Sequence, residues 1–168
     1  MSRIFLIGYM GSGKTTIGKL LAKRLGYSFV DMDSRIEEKQ FKSISAIFEE
    51  LGEEQFRLLE QRTLHEVAEF ENIIIATGGG APCFFDNMMY MNAQGKTVYI
   101  KLSPHQLAIR LESSKANKRP LLDNRKGQEL YQFIADGLAK REPFYNQASL
   151  IVEGKDEEII AQICKNIE

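Results

Sequence analysis

The sequence predicts an α/β fold, a three-layer sandwich in which helices cover both faces of a central five-stranded parallel sheet. Two observations lead to this prediction. Short apolar runs alternate with longer segments of helical period along the 168 residues. The first run leads directly into a glycine-rich loop that opens a helical segment. Because parallel strands end at one edge of such a sheet, we expect the loops that follow the strands to share one site.

Composition limits the class of protein. Hydrophobic residues make up 43% and charged residues 27% of the chain, and the formal net charge is −1. These values are ordinary for a globular protein, so we expect one domain over residues 1–168. The near-neutral charge gives no reason to expect nucleic acid or an anionic membrane as a partner. We expect a monomer.

Cysteine usage and hydropathy favour a cytoplasmic protein. Cys83 and Cys164 have no metal-binding or redox spacing, which favours two reduced thiols. No signal segment is recognisable before the first strand, and no apolar run has the length needed to cross a bilayer. We therefore expect no membrane partner.

The first elements follow from apolar patterning. Residues 3–7 form a short, continuously apolar run, which is typical of a buried parallel strand. The segment 16–25 carries its leucines and isoleucine on one helical face, and Gly26 ends it as a C-cap. A second short strand is expected at 27–30.

The glycine-rich loop, residues 8–15, lies between the first strand and the first helix. It reads Gly-Tyr-Met-Gly-Ser-Gly-Lys-Thr and has the spacing G-x-x-x-x-G-K-[ST] of a phosphate-binding loop. Its glycines allow a tight bend, so that backbone N–H groups at a helix N-terminus surround an anion. Lys14 is expected to reach the outer phosphates, and Thr15 to offer its hydroxyl to Mg²⁺. The loop predicts that a nucleoside triphosphate binds through Gly11, Ser12, Gly13, Lys14, Thr15 and Thr16.

Three helical segments are expected before the third strand. The segment 34–41 comes first, and the segment 44–51 follows a serine cap and ends at Gly52. The longest pattern covers 53–70, where apolar residues recur with the helical period. The buried third strand is expected at 73–76.

The second half of the chain continues the alternation. A helix is expected at 82–91 and a strand at 97–102. Ser103-Pro104 starts the helix 104–112, because proline suits the first helical position. Residues 113–126 are polar and basic and lack periodicity, so we interpret them as a mobile loop. The last helix, strand and terminal helix are expected at 128–145, 150–152 and 157–167.

Two aspartates, Asp31 and Asp33, stand at the end of the second strand. In an extended segment, residues two apart face the same side, so both carboxylates would point into the site. One would then serve the Mg²⁺ shell and the other the acceptor hydroxyl. The alternative is that Asp33 only caps the next helix.

Candidate acceptor residues come from two further segments. Arg57 and Glu60 are helical neighbours, three residues apart. They could form a surface ion pair, which contributes little, or Glu60 could orient Arg57 toward a substrate carboxylate. Periodicity favours neither. Gly78, Gly79 and Gly80 follow the third strand and either expose backbone N–H groups to a ligand or form a flexible turn.

Basic residues are concentrated in and after the mobile loop. Lys115, Lys118 and Arg119 either belong to a solvated loop or to a lid that closes over the phosphates. In the second case Arg119 reaches the transferring group. Arg141 lies near a helix end and is ambiguous by itself.

Together these motifs resemble the shikimate kinase family over nearly the whole chain. The glycine-rich loop is shared with many nucleotide-binding proteins, but the combination that follows it is specific. It consists of Asp31-Met32-Asp33, Ile47-Phe48, Gly52-Glu53-x-x-Phe56-Arg57-x-x-Glu60, Thr77-Gly78-Gly79-Gly80, Arg110, Arg119-Pro120-Leu121 and Arg141-Glu142-x-x-Tyr145. Residues 153–156 depart from the family, which has a basic or asparagine-containing turn there, so we expect no adenine contact from them.

The resemblance implies a P-loop NTPase fold with strand order 2-3-1-4-5. It implies transfer of the ATP γ-phosphate to the 3-hydroxyl of shikimate, a step of aromatic amino-acid biosynthesis. Helices within about 33–60 would bind the substrate, and about 113–126 would form the lid. The third strand has no Walker B aspartate at its end, which fits this family.

Residue roles are also implied by the resemblance. Lys14, Asp33 and Arg119 would be catalytic, and Arg110 would join Arg119 at the ATP site. Thr15, and Asp31 through water, would hold Mg²⁺. The acceptor would be bound by Asp33, Arg57, Glu60, Gly78, Gly79, Gly80 and Arg141, between apolar walls at Phe48, Phe56, Pro120 and Leu121.

Other classes fit less well. A gluconate kinase would share the loop and the lid, but the arginine pair and the three glycines favour shikimate. A nucleoside monophosphate kinase needs a base-reading pocket that the sequence does not reveal. A GTP-dependent switch needs an N/T-K-x-D guanine reader, and the nearest match, residues 117–120, lacks the aspartate. A non-catalytic nucleotide-binding protein would not keep every charged site residue.

Overall fold

The computed structural model describes residues 2–113 and 125–167. Within this part of the chain, five parallel strands form one sheet in the order β2-β3-β1-β4-β5, which confirms the predicted class and strand order. The strands are β1 (Arg3–Ile7), β2 (Ser28–Asp31), β3 (Ile73–Ala76), β4 (Lys96–Ile100) and β5 (Leu150–Val152). The helices of the described ranges are α1 (Lys14–Leu25), α2 (Met32–Gln40), α3 (Ile44–Val67), α4 (Asn87–Gln94), α5 (Pro104–Ser113), α6 (Gly127–Tyr145) and α7 (Asp156–Ile167).

Both faces of the sheet are buried, because alternate side chains of each strand point to opposite sides. In β1, Ile4 and Leu6 pack with α1 and α7, whereas Phe5 and Ile7 pack with helices α3 to α6. Each fully buried side chain of this kind contributes roughly 1.5–3 kcal/mol relative to an exposed one. The two clusters hold the carboxyl ends of the strands, and thus the loops beyond them, in place.

The helical segments after β2 and after β3 differ from the expectation. The helix after the second strand begins at Met32, because the side chain of Asp31 accepts a hydrogen bond from the Ser34 N–H at 3.1 Å and caps it directly. The helix expected over 82–91 is wrong: a short 3₁₀ turn at Ala81–Cys83 is followed by α4. Phe85 adopts a left-handed backbone conformation with φ 52°, which separates the two.

The helical segments expected on either side of Gly52 are joined in α3. Gly52 has φ 79° and ψ 167°, which is not helical, so α3 is two helices meeting at a kink. The second part ends at Val67, three residues earlier than expected.

The mobile-loop interpretation of residues 113–126 falls mostly outside the described residues. Its flanks are described: the Gly127 N–H at the start of α6 donates to Glu112 Oε1 of α5 at 2.6 Å. Across the described ranges, no helix combines the length and the apolar character that crossing a membrane requires.

Candidate active site

A cleft of about 690 Å³ opens at the carboxyl ends of the strands, where the parallel sheet predicts a ligand site. The glycine-rich loop, the starts of α2 and α3, and the segment after β3 line it together with Arg110 and Arg141. Ser12 is buried within the loop. The expected positions of Arg119, Pro120 and Leu121 lie outside the described residues.

The glycine-rich loop has the conformation that an anion cradle needs. Gly13 is left-handed, with φ 93°, and α1 begins at the next residue. Lys14 Nζ donates to the carbonyl oxygens of Gly8 at 2.7 Å and Tyr9 at 3.1 Å, so its ammonium lies inside the loop. Arg110 Nη1 is 3.0 Å from the point where a Cβ on Gly13 would stand, which puts this guanidinium beside the loop.

Thr15 and Asp31 meet at the mouth of the loop. Thr15 Oγ1 donates to Asp31 Oδ2 at 2.5 Å. Asp33 also lines the cleft, but not for the expected reason. It lies in the first turn of α2 rather than in an extended segment, and the capping role belongs to Asp31.

The oxygen pair of Thr15 and Asp31 fits a Mg²⁺ ion that keeps most of its ligands from water and phosphate. Among the described residues, no cluster of three histidine, cysteine or acidic side chains could hold a metal by itself. A hydroxyl and a carboxylate beside a phosphate cradle are hard oxygen donors, which this ion prefers.

Arg57 and Glu60 are a buried pair rather than a surface ion pair. Arg57 Nη1 donates to Glu60 Oε1 at 3.0 Å, and the two residues are 5% and 1% exposed. The guanidinium carbon also lies 5.3 Å from the ring centre of Phe56 and 4.3 Å from that of Phe84. Arg57 Nε is buried and has no hydrogen-bond acceptor among the described residues.

Burial raises the pKa of Glu60 to about 7, even though the adjacent Arg57 favours the ionised form. The negative charge of Asp33 adds to the rise, and Arg141 opposes it. Near neutral pH, Glu60 is therefore protonated in a substantial fraction of molecules. Arg57 then faces one ionised carboxylate at greater distance, the exposed Glu53, whose Oε1 is 3.7 Å from Nη2.

The three glycines after β3 make room for the charged side chains of the site. A Cβ on Gly78, Gly79 or Gly80 would stand 2.7 Å from Glu60 Oε2, 3.2 Å from Arg141 Nη1 or 2.6 Å from Arg57 Nη1, respectively. A flexible turn would not need such close contact at every position. The absence of side chains brings the backbone of this segment directly against the charged groups.

Arg141 lies next to the same glycine segment. Its guanidinium carbon is 5.3 Å from the centre of the Tyr9 ring, and its Nη1 is buried without an acceptor among the described residues. Tyr145 donates its hydroxyl to the Gly79 carbonyl at 2.5 Å. Arg57 and Arg141 thus converge on neighbouring glycines beside the phosphate-binding loop, since the Cβ point of Gly79 is also 3.2 Å from Met10 N.

Sequence reasoning missed two residues in these contacts. Tyr9 occupies a variable position of the loop motif, so its ring had no assigned role. Phe84 follows a proline turn, and only its position after the glycine segment could have indicated that it faces the site. Both contacts join residues distant in sequence, which spacing alone does not reveal.

Comparisons with known proteins agree on one family. The family model described as shikimate kinase matches residues 10–168. A shikimate kinase of Parabacteroides distasonis is 57% identical over 155 residues, which cover 92% of this chain and 89% of the relative.

Solved structures give the same result. The crystal structure of shikimate kinase from Bacteroides thetaiotaomicron has a TM-score of 0.94 at 46% identity and covers 99% of this chain and 98% of that one. Shikimate kinase from Acinetobacter baumannii in complex with shikimate has a TM-score of 0.90 at 33% identity, covering 99% and 93%. A gluconokinase from Sinorhizobium meliloti, 15% identical with a TM-score of 0.60, shares only the fold. The chain belongs to the shikimate kinase family.

Proposed function

We propose that this chain transfers the γ-phosphate of ATP to the 3-hydroxyl of shikimate, giving shikimate 3-phosphate and ADP in the route to chorismate and the aromatic amino acids. Family membership supports the reaction, and a relative with 33% identity has been solved with shikimate bound. The observation that carries the proposal at the site is the convergence of Arg57 and Arg141. Each presents a buried nitrogen that has no acceptor among the described residues.

An acceptor carboxylate fits between these two guanidinium groups. Guanidinium groups bind carboxylates through paired, charge-assisted hydrogen bonds, and burial strengthens those bonds. Glu60 fixes the direction of Arg57, and the glycine segment 78–80 lets the ring of a small polyol approach the backbone. Asp33 Oδ1 lies 3.1 Å from the point where a Cβ on Gly78 would stand, so this carboxylate faces the same space. We assign Asp33 to the acceptor hydroxyl, whose proton it accepts.

The phosphate donor is assigned to the glycine-rich loop. The backbone of Gly11, Ser12 and Gly13, with Thr16 in the first turn of α1, is assigned to the phosphates. Lys14 then leaves its carbonyl partners for the outer phosphates. Thr15, and Asp31 through water, would hold Mg²⁺, which when bound would neutralise part of the phosphate charge.

Two cations complete the proposed donor side. Arg110 stands beside the loop and is assigned to the nucleotide. Arg119 keeps its proposed role as the lid cation that reaches the transferring phosphoryl group. Because phosphoryl transfer depends mainly on positioning and charge, no nucleophilic side chain is required.

The assay that tests this function measures ADP release from ATP and Mg²⁺, with shikimate and gluconate offered separately. Turnover with shikimate and none with gluconate is expected. Turnover only with gluconate would replace the acceptor assignment. A folded protein that binds ATP but turns over neither substrate would contradict the enzyme assignment.

We also propose that the protein acts as a cytoplasmic monomer whose partners are ATP and shikimate, with no nucleic acid or membrane. The net charge of −1 supports the absence of nucleic-acid and anionic-membrane partners, because it provides no general attraction to polyanions.

A further inference from the structure

Tyr9 is buried deep in the site although the loop motif accepts any residue at its position. Its exposure is 2%, and its ring leaves the loop and packs toward α6, the helix that carries Arg141. We propose that Tyr9 is a positioning residue for Arg141, and so links the phosphate-binding loop to the acceptor side of the site. The inference rests on the proposed role of Arg141 in holding the shikimate carboxylate.

The first contact is between the Tyr9 ring and the Arg141 guanidinium. The guanidinium carbon lies 5.3 Å from the ring centre. A cation over an aromatic face is attracted by the ring quadrupole, and more strongly when water is excluded. Such a contact orients the guanidinium without using its hydrogen-bond donors, and Arg141 also has a side-chain hydrogen bond with Tyr145. Nη1 of Arg141 accordingly has no acceptor among the described residues and stays available to a ligand.

The second contact is between Tyr9 and Gly137. A Cβ on Gly137 would stand 3.0 Å from the Tyr9 hydroxyl oxygen and 3.4 Å from its Cε2. Gly137 lies inside α6, where glycine is less favourable than alanine. It is also one turn before Arg141, on the same face of the helix. Glycine at position 137 leaves the space that the Tyr9 side chain needs. The Tyr9 ring therefore packs against α6 at the position where it contacts Arg141.

The third set of contacts ties Tyr9 to the donor loop. Its carbonyl oxygen accepts from Lys14 Nζ at 3.1 Å and from the Ser12 N–H at 3.1 Å. The backbone of one residue is therefore part of the phosphate cradle, and its side chain supports the acceptor arginine. Only the large aromatic residues tyrosine, phenylalanine and tryptophan could place a six-membered ring against Arg141 from this position.

The test compares steady-state kinetics of Tyr9→Leu and Tyr9→Phe. Tyr9→Leu removes the ring and should raise KM for shikimate about tenfold, with KM for ATP changed less than about threefold. Tyr9→Phe keeps the ring and should remain close to the wild type. An unchanged shikimate KM in Tyr9→Leu, or an equal rise in both KM values, would overturn the proposal, because the second result means that only the loop was damaged.

A compensating pair of variants covers the case in which Tyr9→Leu does not fold. Gly137→Ala favours the helix but pushes on the Tyr9 hydroxyl, so KM for shikimate should rise. Gly137→Ala with Tyr9→Phe removes that hydroxyl and should restore it. No effect of Gly137→Ala, or no restoration in the double variant, contradicts the proposal.

Arg141→Gln separates this inference from the proposed function. If Arg141→Gln leaves KM for shikimate unchanged, the role of Arg141 itself is wrong and the Tyr9 proposal fails with it. If Arg141→Gln raises that KM and Tyr9→Leu does not, only the Tyr9 proposal is wrong.

Discussion

A guanidinium that is removed from water needs partners, and Arg57 has two kinds. Glu60 accepts a hydrogen bond from Nη1, and the rings of Phe48, Phe56 and Phe84 lie within 5.9 Å of the guanidinium carbon. The rings exclude water without consuming donors. Burying both charges carries a desolvation cost, so the pair does not have to stabilise the fold. Its benefit lies in a cation that is oriented before the substrate arrives.

The desolvation of Glu60 makes the stability of the protein depend on pH. Because its pKa rises from 4.5 to about 7 on folding, the folded chain holds a proton between these pH values that the unfolded chain releases. This contribution to stability is therefore complete below pH 4.5 and is lost as the pH rises to about 7. Glu60→Gln cannot ionise and still offers Arg57 an oxygen. The unfolding free energy of Glu60→Gln minus that of the wild type, measured with urea, should increase by on the order of 3 kcal/mol as the pH rises across this interval.

Glu66 provides a control of opposite sign. Hydrogen bonds from Lys39 and Arg35 hold the pKa of Glu66 below its ordinary value. The ionised Glu66 stabilises the fold above the unfolded pKa of 4.5, and this stabilisation is lost as the pH falls below it. As the pH rises toward 4.5, the unfolding free energy of Glu66→Gln should therefore decrease relative to that of the wild type. A Glu60→Gln profile that runs parallel to the wild type would show that Glu60 is not perturbed by burial.

At the scale of elements, the kink in α3 decides where the acceptor helices lie. The part before Gly52 contributes Ile44 and Phe48 to the cleft, and the part after it contributes Arg57 and Glu60. Phe48 and Arg57 are nine residues apart, which is about two and a half helical turns, so a straight helix would point them to opposite sides. The backbone of Gly52, with φ 79° and ψ 167°, is in a region that only glycine occupies without strain.

Gly52→Ala should therefore destabilise the protein by about 3 kcal/mol and raise KM for shikimate, because relief of the strain requires the first part of α3 to move. Gly26→Ala is the matched control. A Cβ would meet nothing within 4 Å at either glycine, but Gly26 is in the milder left-handed helical conformation with φ 69° and ψ 30°. It should cost about 1 kcal/mol and leave both KM values unchanged. Equal costs in chemical denaturation, or an unchanged shikimate KM in Gly52→Ala, would show that the kink does not position the site.

The elements also show what sequence patterns could and could not predict. The strands β1, β3 and β5 were predicted to the residue, since each is a short apolar run bounded by polar residues or glycine. The helix expected at 82–91 was wrong, because a left-handed Phe85 is invisible to periodicity. Asp31 and Asp33 both line the cleft, as expected, but the argument from an extended segment was wrong. Asp31 caps α2, which starts at Met32, so Asp33 is helical.

At the scale of the whole molecule, the two halves of the site differ in how much the sequence reveals. The donor half is local: eight consecutive residues carry its backbone geometry, and their spacing predicts it. The proposed acceptor half combines Arg57 of α3, the glycine segment 78–80 and Arg141 of α6, which meet at the carboxyl edge of the sheet. Pattern alone left each of these residues ambiguous, and the family resemblance was needed to assign them.

The same division predicts that the two substrates stabilise the protein through separate residues. A ligand at 100 times its Kd should add about 2.7 kcal/mol to the unfolding free energy and raise Tm accordingly. Arg57→Ala removes one partner of the proposed carboxylate contact, so it should weaken shikimate binding by about 2–5 kcal/mol. At the same shikimate concentration, the ligand-induced stabilisation should fall from about 2.7 to about 0.9 kcal/mol or less, with a matching loss of the Tm rise. The rise induced by ATP with Mg²⁺ should remain.

Lys14→Met is the complementary variant for the ATP site. It keeps the length of the side chain and removes the charge that the outer phosphates require. It should lose the Tm rise induced by ATP with Mg²⁺ and keep the one induced by shikimate. Arg57 and Lys14 are both in the cleft, so general damage to the fold would reduce both shifts in each variant. A variant that keeps the ligand-free Tm of the wild type but loses both shifts would show that its residue serves both substrates. Selective loss in opposite directions can arise only if the cleft holds two binding sites with separate charged anchors.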